Sequence, residues 1–175
     1  MDEAIKTIAR LIGLLLLWFA LGARVALPQD CSYWQAKVDP KVPDVDRIVD
    51  EAQSDQILEG IGCLLRERGN VRTGIPFDKP EQSQILPKPS VEVAALYYAS
   101  ILYYGNDNFA SGPALVSKPA EFDGPLRTLR FNSPSYIEKA YESYTKWYCD
   151  VKRLGLAKAR QEKLNPLANS GVEWY

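Results

Sequence analysis

Residues 94–106 read AALYYASILYYGN, and this stretch decides the fold. It lies in a segment that we predict to be helical, because Ser90 is a typical N-cap residue and Gly105 a typical C-terminal stop. Apolar or aromatic side chains occupy every side of this helix, so it is either buried centrally or spans a membrane. The segment from Val91 is shorter than the about 20 apolar residues that a span needs, and it contains Glu92. We therefore predict the centre of a folded core, with tyrosine hydroxyls reaching polar partners at its edge.

Two other segments show helical apolar periodicity. In the first, Ser54 serves as a cap and Gly69 as a stop, and one face carries the residues Ile57, Leu58, Ile61, Leu64 and Leu65. In the second, Ser133-Pro134 is a typical helix start, and a continuous stripe carries the residues Ile137, Ala140, Tyr141, Tyr144, Tyr148, Val151 and Leu154. Gly155 is expected to break this helix before a last helical piece, and the final residues NSGVEWY are expected to be extended.

The run ILEGIGCLLRERGN (57–70), followed after a loop by PSVEVAALYYASILYYGN (89–106), resembles the antiparallel helix pair of a HEAT-type repeat. This resemblance concerns architecture and carries no functional residue with it. The loop between the two helices, residues 71–89, is rich in proline. The predicted fold class is thus mainly α, a compact helical bundle or a HEAT-like helix-pair arrangement with long Pro-rich loops.

The amino-terminal residues 1–26 differ from the rest of the chain. Lys6 and Arg10 precede an apolar run from Leu11 to Ala23, and this order is typical of a secretory signal peptide. An uncleaved anchor over residues 8–26 is the alternative. In both cases the basic residues stay in the cytoplasm, so the body of the protein is predicted to be exported, to a periplasm or the extracellular space. An irregular, Pro-rich entry segment (27–43) and a single helical domain (44–175) follow.

Export makes disulfides possible for the chain's three cysteines, Cys31, Cys63 and Cys149. We expect one bridge and one free thiol. Cys31 is expected to pair with Cys63 or with Cys149, because a bond near the mature amino terminus would secure a segment that is otherwise weakly held. Three unpaired cysteines are the alternative.

The chain contains no histidine. This removes the commonest general base near neutral pH, the commonest zinc ligand and the usual partner of a serine or cysteine nucleophile. Hydrolases of the Ser-His-Asp and Cys-His kinds are excluded, and three cysteines at these spacings do not form a zinc motif. We predict no catalytic, cofactor-binding or metal-binding residues and no cofactor.

Charge points to no particular partner. The formal net charge is −1, so nucleic acid, which needs a strongly basic surface, is not expected. An acidic group from Asp44 to Asp55 belongs to a short amphipathic helix and is interpreted as a solvated face. A basic stretch over residues 146–163 is interpreted in the same way. A membrane is a partner only if the amino-terminal segment is retained.

The resulting functional hypothesis is an exported, non-enzymatic helical protein that binds another protein, such as an inhibitor, an immunity-type protein or an envelope accessory protein. Its possible binding surface comprises Ile75, Phe77, Trp34, Trp174 and Tyr175. One alternative is a hydrolase of cell-wall sugar that uses paired carboxylates, which needs no histidine. Another is a membrane-anchored structural subunit of an envelope complex.

Overall fold

The computed structural model describes residues 30–41, 54–73, 86–106, 108–118 and 130–175. In chain order these residues form α1 (Cys31–Ala36), α2 (Ser54–Leu64), α3 (Val91–Tyr104), β1 (Leu115–Ser117), α4 (Pro134–Leu154), α5 (Leu156–Gln161) and β2 (Val172–Trp174). The prediction of a mainly α fold is confirmed. The predicted signal or anchor segment (1–26) and the predicted helix over 44–52 lie outside the described residues.

Helix α3 lies at the centre of the molecule. The Ser90 hydroxyl accepts a hydrogen bond from the Val93 N–H at 3.5 Å, and Gly105 ends the helix with a left-handed φ of 75°. Every residue from Val91 to Ser100 is buried. Helices α2, α4 and α5 all contact α3, so an element with no polar face is covered by three others. The predicted cap, stop and burial of this helix are confirmed.

Polar groups on α3 find partners within the core. The Tyr103 hydroxyl donates to the Ala159 carbonyl of α5 at 2.9 Å, and the Tyr141 hydroxyl of α4 donates to the Glu92 carbonyl at 3.0 Å. The Glu92 carboxylate, only 7% exposed, accepts from the Gly69 N–H at 2.8 Å. These bonds tie α3 to its neighbours while satisfying buried groups that would otherwise be costly.

The carboxyl end of α3 is closed by an arginine from α5. Arg160 donates from Nε to the Tyr103 carbonyl at 2.6 Å and from Nη2 to the Leu102 carbonyl at 2.9 Å. The last carbonyls of a helix lack partners within it, and a cation is favourable at the negative end of the helix dipole. This capping brings α5 against the end of the central helix.

Two glycines let aromatic rings pack directly on α2. A Cβ atom at Gly60 would lie 2.7 Å from the Trp34 ring, and one at Gly62 would collide with the Tyr148 hydroxyl. That hydroxyl donates to the Leu58 carbonyl at 2.9 Å. The GIG sequence is therefore a packing feature, because the missing side chains give room to one ring from α1 and another from α4.

The two strands form an antiparallel pair with Leu115 opposite Trp174 and Ser117 opposite Val172. Asn132 covers the other edge of β1: its N–H donates to the Leu115 carbonyl at 2.9 Å, and its side-chain oxygen accepts from the Leu115 N–H at 2.7 Å. Asn132 has a φ of 50°, which few residues other than glycine tolerate as well as asparagine. Ser170 similarly bonds the N–H and carbonyl of Val172 on β2. Side-chain bonds thus replace further strands at both edges.

A chain of hydrogen bonds fixes β2 to the core. The Trp174 indole N–H donates to the Tyr144 hydroxyl at 2.9 Å, and that hydroxyl is bonded to Ser100 Oγ. Ser100 Oγ donates in turn to the Leu96 carbonyl at 3.2 Å. The chain joins β2, α4 and α3 through buried groups, and it orients the Trp174 ring.

Four details differ from the sequence expectations. Within the entry segment that was expected to be irregular (27–43), Cys31–Ala36 form α1, because the Asp30 side chain caps its first turn. Helix α2 becomes a 3₁₀ turn over Leu65–Glu67 instead of continuing to Arg68, a common way to satisfy final carbonyls. The last helical piece ends at Gln161, and Lys163 has a left-handed φ of 54°. On α4, Trp147 is only 5% exposed although it lies beside the predicted stripe. It is buried because it packs against Tyr103, with the ring centroids 4.8 Å apart.

The packing at Gly60 can be tested by substitution. Gly60→Ala is expected to lower the free energy of unfolding by about 1–3 kcal/mol, because the Cβ overpacks against the buried Trp34 ring. This loss would appear despite the gain of about 1 kcal/mol that alanine gives in an ordinary helix. Urea unfolding measures the change. Gly62→Ala is the matched control and should lose less, since the end of the Tyr148 side chain can move aside. An unchanged or increased stability for Gly60→Ala would contradict this account.

The bonds at Tyr144 can be tested in the same way. Tyr144→Phe is expected to lower the free energy of unfolding by about 1–3 kcal/mol, because the buried Ser100 hydroxyl loses its partner and the Trp174 N–H loses its acceptor. Tyr136→Phe, on a half-buried ring at the start of the same helix, should change it by less than about 0.5 kcal/mol. Equal losses for the two variants would show that the Tyr144 hydroxyl has no particular role.

Candidate functional site

Five partly exposed aromatic residues are joined by ring contacts to one another or to the buried Tyr97. We call this surface the aromatic ledge, and it consists of Tyr104, Phe109, Phe131, Trp174 and Tyr175. Tyr104 is the most exposed of them at 36%. The ledge combines the end of α3, the loop after it, Phe131 ahead of α4, and the end of β2 with the residue that follows it.

Ring contacts and a backbone bond connect the ledge. Phe109 lies 5.1 Å from Tyr104 and 5.0 Å from the buried Tyr97, whose ring in turn lies 5.2 Å from Trp174, all between ring centroids. The Ser111 N–H donates to the Tyr175 carbonyl at 2.6 Å, which holds the loop after α3 against β2. Tyr175 then contacts Phe131 with centroids 5.5 Å apart. The rings of Phe109 and Trp174 thus pack directly on the buried Tyr97 of the core.

A separate feature is a polar groove of about 460 Å³ between α4 and the segment 164–170. Its walls carry charges of both signs, including Lys139, Glu142, Lys146 and Asp150. Trp147 also lines it but is only 5% exposed, so little of its ring faces the groove. Ser143 Oγ donates to the Pro166 carbonyl at 2.7 Å and holds the two walls together. The groove therefore offers mixed polar groups and little aromatic surface.

The two carboxylates that line the groove lie more than two turns apart on one helix. Glu142 and Asp150 are eight positions apart on α4, so their Cα atoms are separated by about 12 Å along the helix axis. Paired catalytic carboxyl groups lie roughly 5–9.5 Å apart. Asp150 is also paired with Arg153 at 2.9 Å. The groove thus provides no support for carboxylate catalysis.

The tyrosines of the core stay protonated near neutral pH. Burial, followed by the neighbouring Tyr103, raises the pKa of Tyr104 to about 12. Burial also raises the pKa of Tyr141 and of Tyr144 well above the ordinary tyrosine value. These hydroxyls therefore act as hydrogen-bonding groups, not as bases.

The proposed binding residues fall in different places. Trp174 and Tyr175 lie on the aromatic ledge, half-buried. Trp34 has no exposed surface and packs over Gly60, so in this structure it is a core residue and cannot contribute to an exposed surface. Ile75 and Phe77 lie outside the described residues. Tyr104 and Phe109 were not among the predicted site residues, because a buried helix and a polar loop give no sequence signal for an exposed cluster.

The cysteines form one disulfide and one free thiol. Cys31 and Cys63 are bonded, with their Cα atoms 5.2 Å apart. Cys149 is free and exposed on α4. Cys31 was predicted to pair with Cys63 or with Cys149, and it pairs with Cys63. Cys63 lies beside the predicted apolar stripe of α2 and is nevertheless only 3% exposed.

The described part of the chain shows no metal cluster and no helix that could span a membrane. No cluster of three or more cysteine, aspartate or glutamate side chains there could hold a metal ion. No helix in the same residues is both long enough and apolar enough to cross a membrane.

Comparison of the chain with protein-family models, curated proteins and solved structures found no match. The function must therefore be argued from the chain's own surfaces.

Proposed function

We propose that this chain is an exported, non-enzymatic protein that binds another protein through the aromatic ledge. The observation that supports this proposal is that the ledge has five partly exposed rings joined to one another or to the core by ring contacts. Aromatic residues are enriched in protein interfaces and contribute much of their binding energy. Rings held by the core also lose little conformational freedom when a partner binds.

The ledge supports protein binding better than the polar groove does. An interface gains most from apolar area that leaves water, and the ledge offers five aromatic side chains. The groove carries opposite charges, and exposed ion pairs contribute only about 0–1 kcal/mol each. We therefore assign the partner to the ledge.

Export is the second element of the proposal. The basic and then apolar order of residues 1–26 supports it, and so does the Cys31–Cys63 disulfide, since stable disulfides are typical of oxidising compartments. We include in the proposal a bundle or HEAT-like arrangement of the helices, supported by the contact between α2 and α3. An envelope accessory protein, an inhibitor or an immunity-type protein all fit this description.

The ledge can be tested with a site-specific photo-crosslinker. A benzoylphenylalanine residue at position 104 is expected to give a discrete covalent adduct in the native host. The same residue at position 33 is the matched control, because Tyr33 is similarly exposed at 41% and lies on α1. Excess unlabelled protein should suppress the adduct, whereas unlabelled Tyr104→Ala should compete at least about tenfold less well, the loss expected of an aromatic hot spot.

Absence of an adduct at position 104, or equal adducts at both positions, would contradict a role for the ledge. Equal competition by wild-type protein and Tyr104→Ala would contradict it too. Circular dichroism of each variant confirms that the fold is retained.

Export can be tested by intact mass and thiol labelling of protein recovered from the native host. We expect one thiol, that of Cys149, to react before reduction and all three cysteines to react after it. Loss of the leader mass would indicate a cleaved signal peptide, and full-length mass in the membrane fraction would indicate the anchored subunit. Full-length cytoplasmic protein with three reactive thiols before reduction would contradict export.

A further inference from the structure

Residues Asp30–Lys41 cross α2 as a short segment, which we call the strap. It contains α1 and is joined to α2 by the Cys31–Cys63 disulfide. Its other polar connections reach the turn after α2: Gln35 Nε2 donates to the Glu67 carboxylate at 2.6 Å, and Asp39 pairs with Arg72 at 3.4 Å. The Asp39–Arg72 pair is partly exposed, so it holds the strap only weakly.

The strap inserts two apolar side chains, Trp34 and Val38, into the core, and the larger of them occupies a site that is imperfect for it. Trp34 has no exposed surface, and its ring lies over the bare backbone of Gly60. Its indole N–H is buried and makes no hydrogen bond within the described structure. An unsatisfied buried donor is destabilising, and such groups are rare in folded proteins. The burial of Trp34 is therefore opposed by its own polar group.

The strap has little stability of its own. Helix α1 has six residues, well below the about 12–15 that an isolated helix needs. Among the other elements, its main contacts are with α2. By contrast, α3 is covered by α2, α4 and α5, which all contact it directly. The covalent bond thus supports the strap far more than it supports the rest of the fold.

We propose that the strap is a redox-controlled lid. Reduction of the Cys31–Cys63 bond by a dithiol releases residues 30–41 from α2, while α2 to α5 stay folded. Release withdraws the Trp34 ring from the core. It leaves an apolar cavity over Gly60 that is the size of one aromatic side chain. The reduced protein therefore presents a second apolar surface, distinct from the aromatic ledge.

The reduction proceeds by thiol–disulfide exchange. A thiolate of the dithiol attacks the sulfur of Cys31, which is the more accessible one because Cys63 is only 3% exposed. The Cys31–Cys63 bond breaks, a mixed disulfide forms at Cys31, and Cys63 leaves as a thiolate that takes up a proton. The second thiolate of the reductant then attacks the reductant's own sulfur and releases Cys31. The protein gains two thiols, and the dithiol becomes a disulfide.

Hydrogen exchange of the full chain tests the lid. Cys149→Ser prevents rearrangement through the free thiol, and the protein is compared before and after treatment with dithiothreitol. Amides bonded within the strap, those of Lys37, Val38 and Asp39, should exchange at least about a hundredfold faster after reduction. Amides of α3 should change by less than about threefold. The double variant Cys31→Ser/Cys63→Ser should behave like the reduced protein.

Two results would overturn the proposal. Unchanged protection of the strap would show that its non-covalent contacts are sufficient to hold it on α2 without the disulfide. Loss of protection in α3 as well would show that the bond stabilises the whole domain instead of one lid.

Alkylation of the reduced protein provides an independent measurement. When the strap is released, Cys63 should react with N-ethylmaleimide at a rate within about tenfold of that of Cys31, because the strap no longer buries it. A Cys63 that stays unreactive while Cys31 is labelled would mean that the strap remains closed, and this too would overturn the proposal.

Discussion

The structure depends on one constraint: α3 has no polar face, so every side of it must be covered. A helix of this composition gains free energy from burial on all sides and loses it wherever water reaches it. Helices α2, α4 and α5 provide that cover. They are amphipathic or short, and their packing against α3 determines where each one lies. The rest of the fold is a consequence of enclosing this helix.

Burying α3 also buries its polar groups, and these need hydrogen-bond partners. Ser90, Gly105 and Arg160 satisfy the two ends of α3, and neighbouring elements bond the side chains of Glu92, Ser100 and Tyr103. The hydrogen bonds from Trp174 through Tyr144 to Ser100 also hold β2 at the edge of the core. The aromatic ledge depends on that attachment, because β2 carries Trp174 and is followed directly by Tyr175. The proposed binding surface is thus positioned by buried polar bonds.

The candidate site was less predictable than the fold. Trp174 and Tyr175 were proposed from the sequence because they are large aromatic residues in a segment expected to be extended. Trp34 is a large aromatic residue in a segment expected to be irregular, yet it is wholly buried. What separates them is Gly60, a distant residue whose missing side chain admits the Trp34 ring. Tyr104 follows three buried tyrosines and was expected to be buried too. It stays partly exposed because it lies in the last turn of α3, beyond the covering elements.

The local features follow from the amino-acid sequence alone: the buried character of α3, its cap at Ser90 and stop at Gly105, the start of α4 at Ser133-Pro134 and the extended carboxyl end. These follow from side-chain periodicity and from the backbone preferences of single residues, which act over a few positions. Only the tertiary structure decided that Cys31 pairs with Cys63 and that the aromatic ledge forms. Both depend on contacts between residues far apart in the chain, and such contacts arise only when the helices have packed around α3.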